Sequence, residues 1–157
     1  MAVRLLSILI LIFSISGCKQ LDVFEKNTII PKQAWKSDFP CSGTFTITDT
    51  SAYYQMYIVL RHTDAYAYNN IWLNVGLQSP KDTMYFQKVN FTLGDDNRGW
   101  YGSGMDDIWE IRSLLTNKPR KFIKPGEYKF EIYQVMRNNP LKNVLNAGMR
   151  VEKVNNR

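Results

Sequence analysis

Histidine and cysteine are nearly absent from this chain, which has one His and two Cys in 157 residues. With His62 alone, a His-rich zinc site is unavailable. Two cysteines permit one disulfide at most, and an N-terminal role for Cys18 leaves Cys41 without an intrachain partner, so the fold is expected to need none. No apolar run reaches the roughly 20 residues of a membrane-spanning helix. No internal repeat, low-complexity tract or run of alternating strands and helices is visible, and the last absence argues against a parallel α/β sheet. Acidic residues do not follow the twelve-residue calcium loop with its terminal Glu. Ser51 and Ser103 lack the turn context of an activated nucleophile. No coherent catalytic set emerges, and neither a cofactor nor a metal is expected.

What is present is aromatic and apolar. Aromatic residues make up 13% of the chain and hydrophobic residues 45%, against 22% charged, enough for one packed domain. The net charge of +6 is spread out, apart from Lys118, Arg120, Lys121 and Lys124. A nucleic-acid groove and a solvated loop both explain that cluster. No nucleic-acid-binding motif accompanies it, so the loop is favoured and no nucleic acid is expected as partner.

The first residues read as a targeting segment. Arg4 supplies a positive start, Leu5 to Ile15 a short apolar core, and Ile15-Ser16-Gly17-Cys18 a run of small residues before a cysteine. This resembles a bacterial lipobox, which implies diacylglyceryl transfer to the Cys18 thiol, cleavage before it and acylation of the new amino terminus. The domain plan is then a signal peptide over 1–17, a lipidated N-terminus, tether and edge segment over 18–38, and a β-sandwich over 39–157.

The remaining chain alternates. Tyr53 to Arg61 places Tyr54, Met56, Ile58 and Leu60 on one face, and Asn69 to Leu77 repeats the device with Ile71, Leu73, Val75 and Leu77. Between them HTDAYAYNN reads as an aromatic turn, which predicts a hairpin. Further strands are expected over Asp22 to Asn27, Gly43 to Thr50, Thr83 to Leu93, Lys121 to Ile123, Glu127 to Met136 and Leu145 to Val154, the last broken by Gly148. Gln87 on the apolar face of the third of these, Thr83 to Leu93, predicts a bulge or a sheet edge. Trp35 is expected to dock on the body of the domain, and Cys41 to be small, buried and inert. Met105 to Thr116 departs from alternation. Ile108, Ile111, Leu114 and Leu115 recur at three and four, and Asp106 and Asp107 suit a helix start, so one short helix is predicted. The sum is an all-β, antiparallel β-sandwich, jelly-roll or Greek-key-like, with one short helix; a closed barrel is the second choice.

Several residues carry a binding reading beside a structural one. Tyr66 and Tyr68 either pack on the domain end or present a surface to a partner. Trp100 and Tyr101, in the glycine-rich loop Gly94 to Gly104, either pack back on the sheet or form a stacking platform. Arg61 and Arg137 near strand ends either pin a carboxylate such as Asp49 or Asp64, or anchor a partner. Tyr66, Tyr68, Trp72, Trp100, Tyr101 and Trp109 together motivate an alternative glycan-binding sandwich, and a hydrolase on the same scaffold is a third possibility.

The order of short motifs adds more. Asp49-Thr50, the strand ending in Tyr57 to Arg61, Tyr66, Tyr68, Asn69-Asn70-Ile71, Asp82-Thr83, Gly99-Trp100, Gly102-Ser103-Gly104, Pro125-Gly126-Glu127-Tyr128, and Gln134 to Arg137 followed by Leu141 occur in succession behind the Cys18 lipobox. Together they resemble the gliding motility lipoprotein GldH family of the Bacteroidota, from about Phe39 to Lys153. The resemblance implies a membrane-anchored cell-envelope lipoprotein held by the lipid on Cys18, without catalytic activity, whose partners are envelope proteins of the gliding machinery and the type IX secretion system linked to it. Lys19-Gln20-Leu21-Asp22 carries no address that selects inner or outer membrane.

Overall fold

The computed structural model of the chain describes residues 23–154. Cys18 and the targeting segment lie outside the described residues. Two antiparallel sheets face each other. The first has the order β1 (Val23–Ile29), β13 (Val144–Val154), β4 (Tyr53–Thr63), β10 (Ile108–Leu114), β9 (Ser103–Met105). The second has the order β3 (Cys41–Ile47), β11 (Gly126–Gln134), β5 (Asn70–Gln78), β6 (Tyr85–Thr92). Two small ladders, β2 (Ala34–Trp35) with β12 (Leu141–Lys142) and β7 (Gly94–Asp95) with β8 (Gly99–Trp100), trim one end. The all-β sandwich is as expected.

Alternation builds the core. Tyr54, Met56, Ile58 and Leu60 of β4 and Ile71, Leu73 and Val75 of β5 are buried against Phe130, Ile132, Met149 and Val151. Each such fully buried apolar side chain contributes roughly 1.5–3 kcal/mol. The expected hairpin is absent, however. β4 pairs with β13 and β10, whereas β5 pairs with β11 and β6 in the other sheet. Residues 64–69 cross from one sheet to the other. Alternation defines a buried face but not the neighbour that supplies hydrogen bonds.

The predicted helix is a strand hairpin. β9 and β10 pair with Ile108 opposite Met105, leaving Asp106-Asp107 as a two-residue turn with Asp106 at φ 54°. On β10, Trp109, Ile111 and Ser113 lie opposite the inward residues His62, Leu60 and Ile58. Ile108 and Leu114 fall on the outer face, where Leu114 is 50% exposed. Those two outward apolar residues produced the helical spacing. The strand geometry also places Glu110 and Arg112 beside Arg61, and a chain of ion pairs runs over the outer face: Arg61–Glu110 (2.6 Å), Glu110–Arg112 (2.8 Å), Arg112–Glu25 (3.6 Å), Glu25–Arg150 (2.8 Å) and Arg150–Glu152. Burial pushes the Glu25 carboxyl up, but hydrogen bonds from Arg150 and Asn27 and the charges of both arginines outweigh it and hold it below its usual range.

Three smaller expectations change. Lys121 to Ile123 is not a strand; only Arg120 makes a bridge, to Tyr54, with both backbone bonds (2.8 and 2.9 Å). Gly148 does not break β13, which pairs without interruption through it to both Asn27 and Val59. A Cβ at Gly148 would lie 2.0 Å from the Lys26 carbonyl oxygen, so the glycine permits the close approach of β1. The strand expected to reach Met136 ends at Gln134. β6 is indeed an edge strand, and Gln87 on it is exposed.

The sandwich has two ends. At the Val23 end lie the start of β1, the 48–52 connection, the 79–84 turn and the segment 115–125. At the His62 end lie the 64–69 crossing, the 93–102 loop and the 135–143 loop.

Candidate functional site

The candidate site is the His62 end, where the two sheets open onto loops. Its foundation is the residue pair His62 and Tyr66. His62 is fully buried at the last inward position of β4. Its Nδ1 lies 3.0 Å from the Thr63 carbonyl oxygen, which can only accept, so Nδ1 carries the proton. Nε2 is then a buried acceptor without a hydrogen-bond partner. Burial lowers the His62 pKa below its usual 6.5, more than the Thr63 hydrogen bond and the Asp64 charge raise it. The ring is packed by Trp100 at 4.5 Å, edge-on, and by Tyr66 at 5.4 Å. Tyr66 is 4% exposed and its hydroxyl donates to the Asn70 carbonyl (3.1 Å). Tyr68 leans edge-on against Tyr66, with ring centroids 5.9 Å apart, and stays half-exposed.

The crossing segment is held from both sides. Asn143 Nδ2 donates to the Ala65 carbonyl (2.6 Å), the Asp64 N–H to the Asp107 carbonyl (2.9 Å), and the Leu93 N–H to the Asn69 carbonyl (2.7 Å). Next to it, Asp95 organises the 93–102 loop. Its Oδ1 accepts the N–H groups of Asn97 (2.9 Å) and Arg98 (2.7 Å), and its Oδ2 accepts the Tyr101 hydroxyl (2.6 Å). These bonds, Tyr101 first, pull the Asp95 carboxyl below its ordinary value.

Tyr68 divides two grooves. One, of about 380 Å³, is lined by Tyr66, Tyr68, Asn69, Asp95, Asp96 and Trp100. The other, of about 490 Å³, lies on the outer face of the second sheet and is lined by Tyr68, Asn70, Trp72, Lys88, Met136 and Arg137, among others. In it the Trp72 N–H points to the Met136 sulfur at 3.2 Å, and the Lys88 ammonium sits 5.2 Å from the centroid of the indole. Beneath this groove, Gln134 is fully buried. Its Nε2 donates to the carbonyls of Trp35 (3.3 Å) and Asn138 (3.2 Å), and its Oε1 accepts the Met136 N–H (2.8 Å).

Of the residues singled out in the sequence, Tyr66, Tyr68 and Trp100 meet in one cluster, and Tyr101 closes the adjoining loop. Arg137 is exposed on the second groove. Arg61 is elsewhere, on the outer face of the first sheet, and its partner is Glu110 rather than Asp49 or Asp64. Trp109 donates to Asp64 from the β10 side. Cys41 is fully buried, and burial pushes its thiol up to about 12, so the reactive thiolate is disfavoured. Lys88, Met136 and the Gln134 support were not singled out in the sequence, whereas Trp72 was among the aromatics behind the glycan-binding alternative. Gln134 left a trace, as an amide completing the apolar row Tyr128, Phe130, Ile132. Among the described residues, no group of three His, Cys, Asp or Glu side chains is arranged to hold a metal ion.

Fold and site together define a two-sheet β-sandwich whose His62 end carries surface grooves lined by aromatic, amide and charged side chains. Two curated relatives are similar over nearly their whole lengths. One is the gliding motility lipoprotein GldH homolog of Christiangramia forsetii, 27% identical, covering 96% of this chain and 97% of that one. The other is the gliding motility lipoprotein GldH of Flavobacterium johnsoniae, 26% identical, covering 91% and 90%. A solved structure of the infectious bursal disease virus VP2 subviral particle aligns at 12% identity with a TM-score of 0.31, covering 88% of this chain and 34% of that one, too distant to carry an argument. The GldH lipoprotein family profile matches residues 22–151, and the chain belongs to that family.

Proposed function

We propose that this chain is a lipid-anchored component of the gliding motility apparatus in the cell envelope, acylated on Cys18, and that it acts there as a non-enzymatic protein-binding module linked to type IX secretion. Family membership and the names of the two relatives support the setting. The observation that carries the binding role is the polarity of the sandwich. β1 starts at the Val23 end, five residues after Cys18, while the Tyr68–Trp72–Arg137 groove opens at the other end. An anchor on Cys18 therefore turns the groove away from its own bilayer. Tyr and Arg beside apolar side chains are the composition of partner-binding hot spots. One face of Trp72 is already covered by Lys88, which leaves less of the indole for stacking on a sugar.

A photoreactive residue in place of Tyr68 or Arg137, in intact cells, should yield a crosslink to an envelope protein that a probe at Thr46 does not. No crosslink from either position, together with glycan-array binding lost in Trp72→Ala, would favour the glycan-binding alternative. For the anchor, Cys18→Ala should abolish lipid labelling and release the chain from membranes, and persistent labelling would sink that assignment.

A further inference from the structure

At the Val23 end, segment 115–125 lies across the gap between the sheets. Phe122 plugs the gap and is 3% exposed, whereas the next residue, Ile123, is 91% exposed. Around it stand cations, all exposed except the half-buried Lys153. Lys124 is paired with Asp82 (2.7 Å), and on β13 Lys153 is paired with Asp49 (2.9 Å). Lys118, Arg120, Lys121 and, on the neighbouring turn, Lys81 make no ion pair among the described residues, and Glu127 is the one acid nearby without a pair. Two of the cations lie over rings that fix them to the body: Lys121 Nζ sits 5.0 Å from the Tyr53 ring centroid and Arg120 Cζ 5.6 Å from that of Phe122. An exposed aliphatic side chain ringed by unpaired cations suits a bilayer interface, where apolar contact and anionic headgroups act together.

The chain's own geometry brings a bilayer to this surface. β1 enters at Val23, opposite Glu152, and β13 pairs with β4, whose Tyr53 underlies Lys121. Two strand spacings, about 10 Å, separate the entry of β1 from Tyr53. Cys18 precedes Val23 by five residues, a reach of at most roughly 17 Å. The eleven residues of β4 extend about 37 Å, so the far end of the sandwich is out of that reach.

We infer that the Val23 end, through Ile123, Lys118, Arg120, Lys121 and Lys81, lies directly on anionic phospholipid headgroups of the membrane that holds the lipid. This rests on the acylation of Cys18. The full mature lipoprotein is reconstituted into phosphatidylcholine vesicles with or without phosphatidylglycerol, with a fluorophore on Ile123→Cys or, at the opposite end, on Met105→Cys. Cys41 is buried and stays unlabelled. Lipid-borne quenchers should quench the probe at 123 in phosphatidylglycerol vesicles and spare the probe at 105. Replacing Lys118, Arg120 and Lys121 by Gln should weaken the contact by roughly fivefold for each cation removed. A probe at 123 that stays in water, or quenching indifferent to phosphatidylglycerol and to the Gln variant, overturns the inference. Shielding at 123 seen in cells but not in vesicles assigns the surface to a protein instead. Retention of lipid label by Cys18→Ala overturns the anchor itself, a separate and distinguishable failure.

Discussion

At the residue scale, His62 has the clearest titration consequence. Its folded pKa is depressed by burial, so the unfolded chain binds the proton more readily. The His62 contribution is therefore present above pH 6.5 and is lost as the pH falls through the lower folded value. Stability of the wild type, measured by urea denaturation, should drop between neutral and mildly acidic pH, and His62→Phe should flatten that drop. An unchanged slope in the variant would show that the imidazole is not the group responsible. Glu25, Asp49 and Glu131 are also held below their ordinary values, so their contributions fade only at more acidic pH. The scarcity of histidine in the sequence argued against a His-rich zinc site, yet it did not reveal that the single histidine is a core residue. His62 follows Arg61, an outward charge, and its own burial depends on Tyr66 and Trp100 arriving from two different loops.

At the element scale, the β9–β10 hairpin and the Gly148 crossing separate local pattern from pairing. Asp106 occupies a left-handed conformation in a two-residue turn. Asp106→Gly should stay within about 0.5 kcal/mol of wild type, whereas Asp106→Val should lose about 1–2 kcal/mol. Equal effects of the two substitutions would contradict the turn. Gly148→Ala would push a methyl group into the Lys26 carbonyl, so β1 must move off β13; a loss of about 3 kcal/mol is expected, with amide exchange accelerated along residues 23–29. Exchange left unchanged there would mean that the strand pair tolerates the methyl group. Strand positions 53–63, 70–78 and 126–134 were legible because their alternation is unbroken. The hairpin at 103–114 was not, because Ile108 and Leu114 face outward beside charged neighbours and imitate a helical stripe.

At the scale of the whole molecule, the sandwich is a polar object with different closures at its two ends. Phe122 closes the Val23 end by meeting Phe45, Tyr54 and Tyr128 at 5.7, 5.3 and 4.7 Å, rings that come from both sheets. Phe122→Ala should cost about 3–5 kcal/mol in urea denaturation, while Ile123→Ser in the next position should change stability by no more than about 0.5 kcal/mol. Comparable losses would mean that the segment does not act as a plug. The His62 end is closed instead by Tyr66, Trp100 and the Gln134 bonds, which leave Tyr68, Trp72 and Arg137 in the groove wall.

Sequence alone determined the all-β class, the buried face of each regular strand and the order of motifs that marks the GldH lipoprotein family. These depend on residue type and spacing along the chain. Tertiary structure decided which strands are neighbours, because in the two main sheets every ladder except β5–β6 and β9–β10 joins strands distant in sequence. It also decided that Tyr66 is core while Tyr68 borders a groove, that Arg61 answers Glu110, and that the start of β1 and the aromatic groove lie at opposite ends. Burial and ion pairing are set by what arrives from other strands, and no local pattern carries that information.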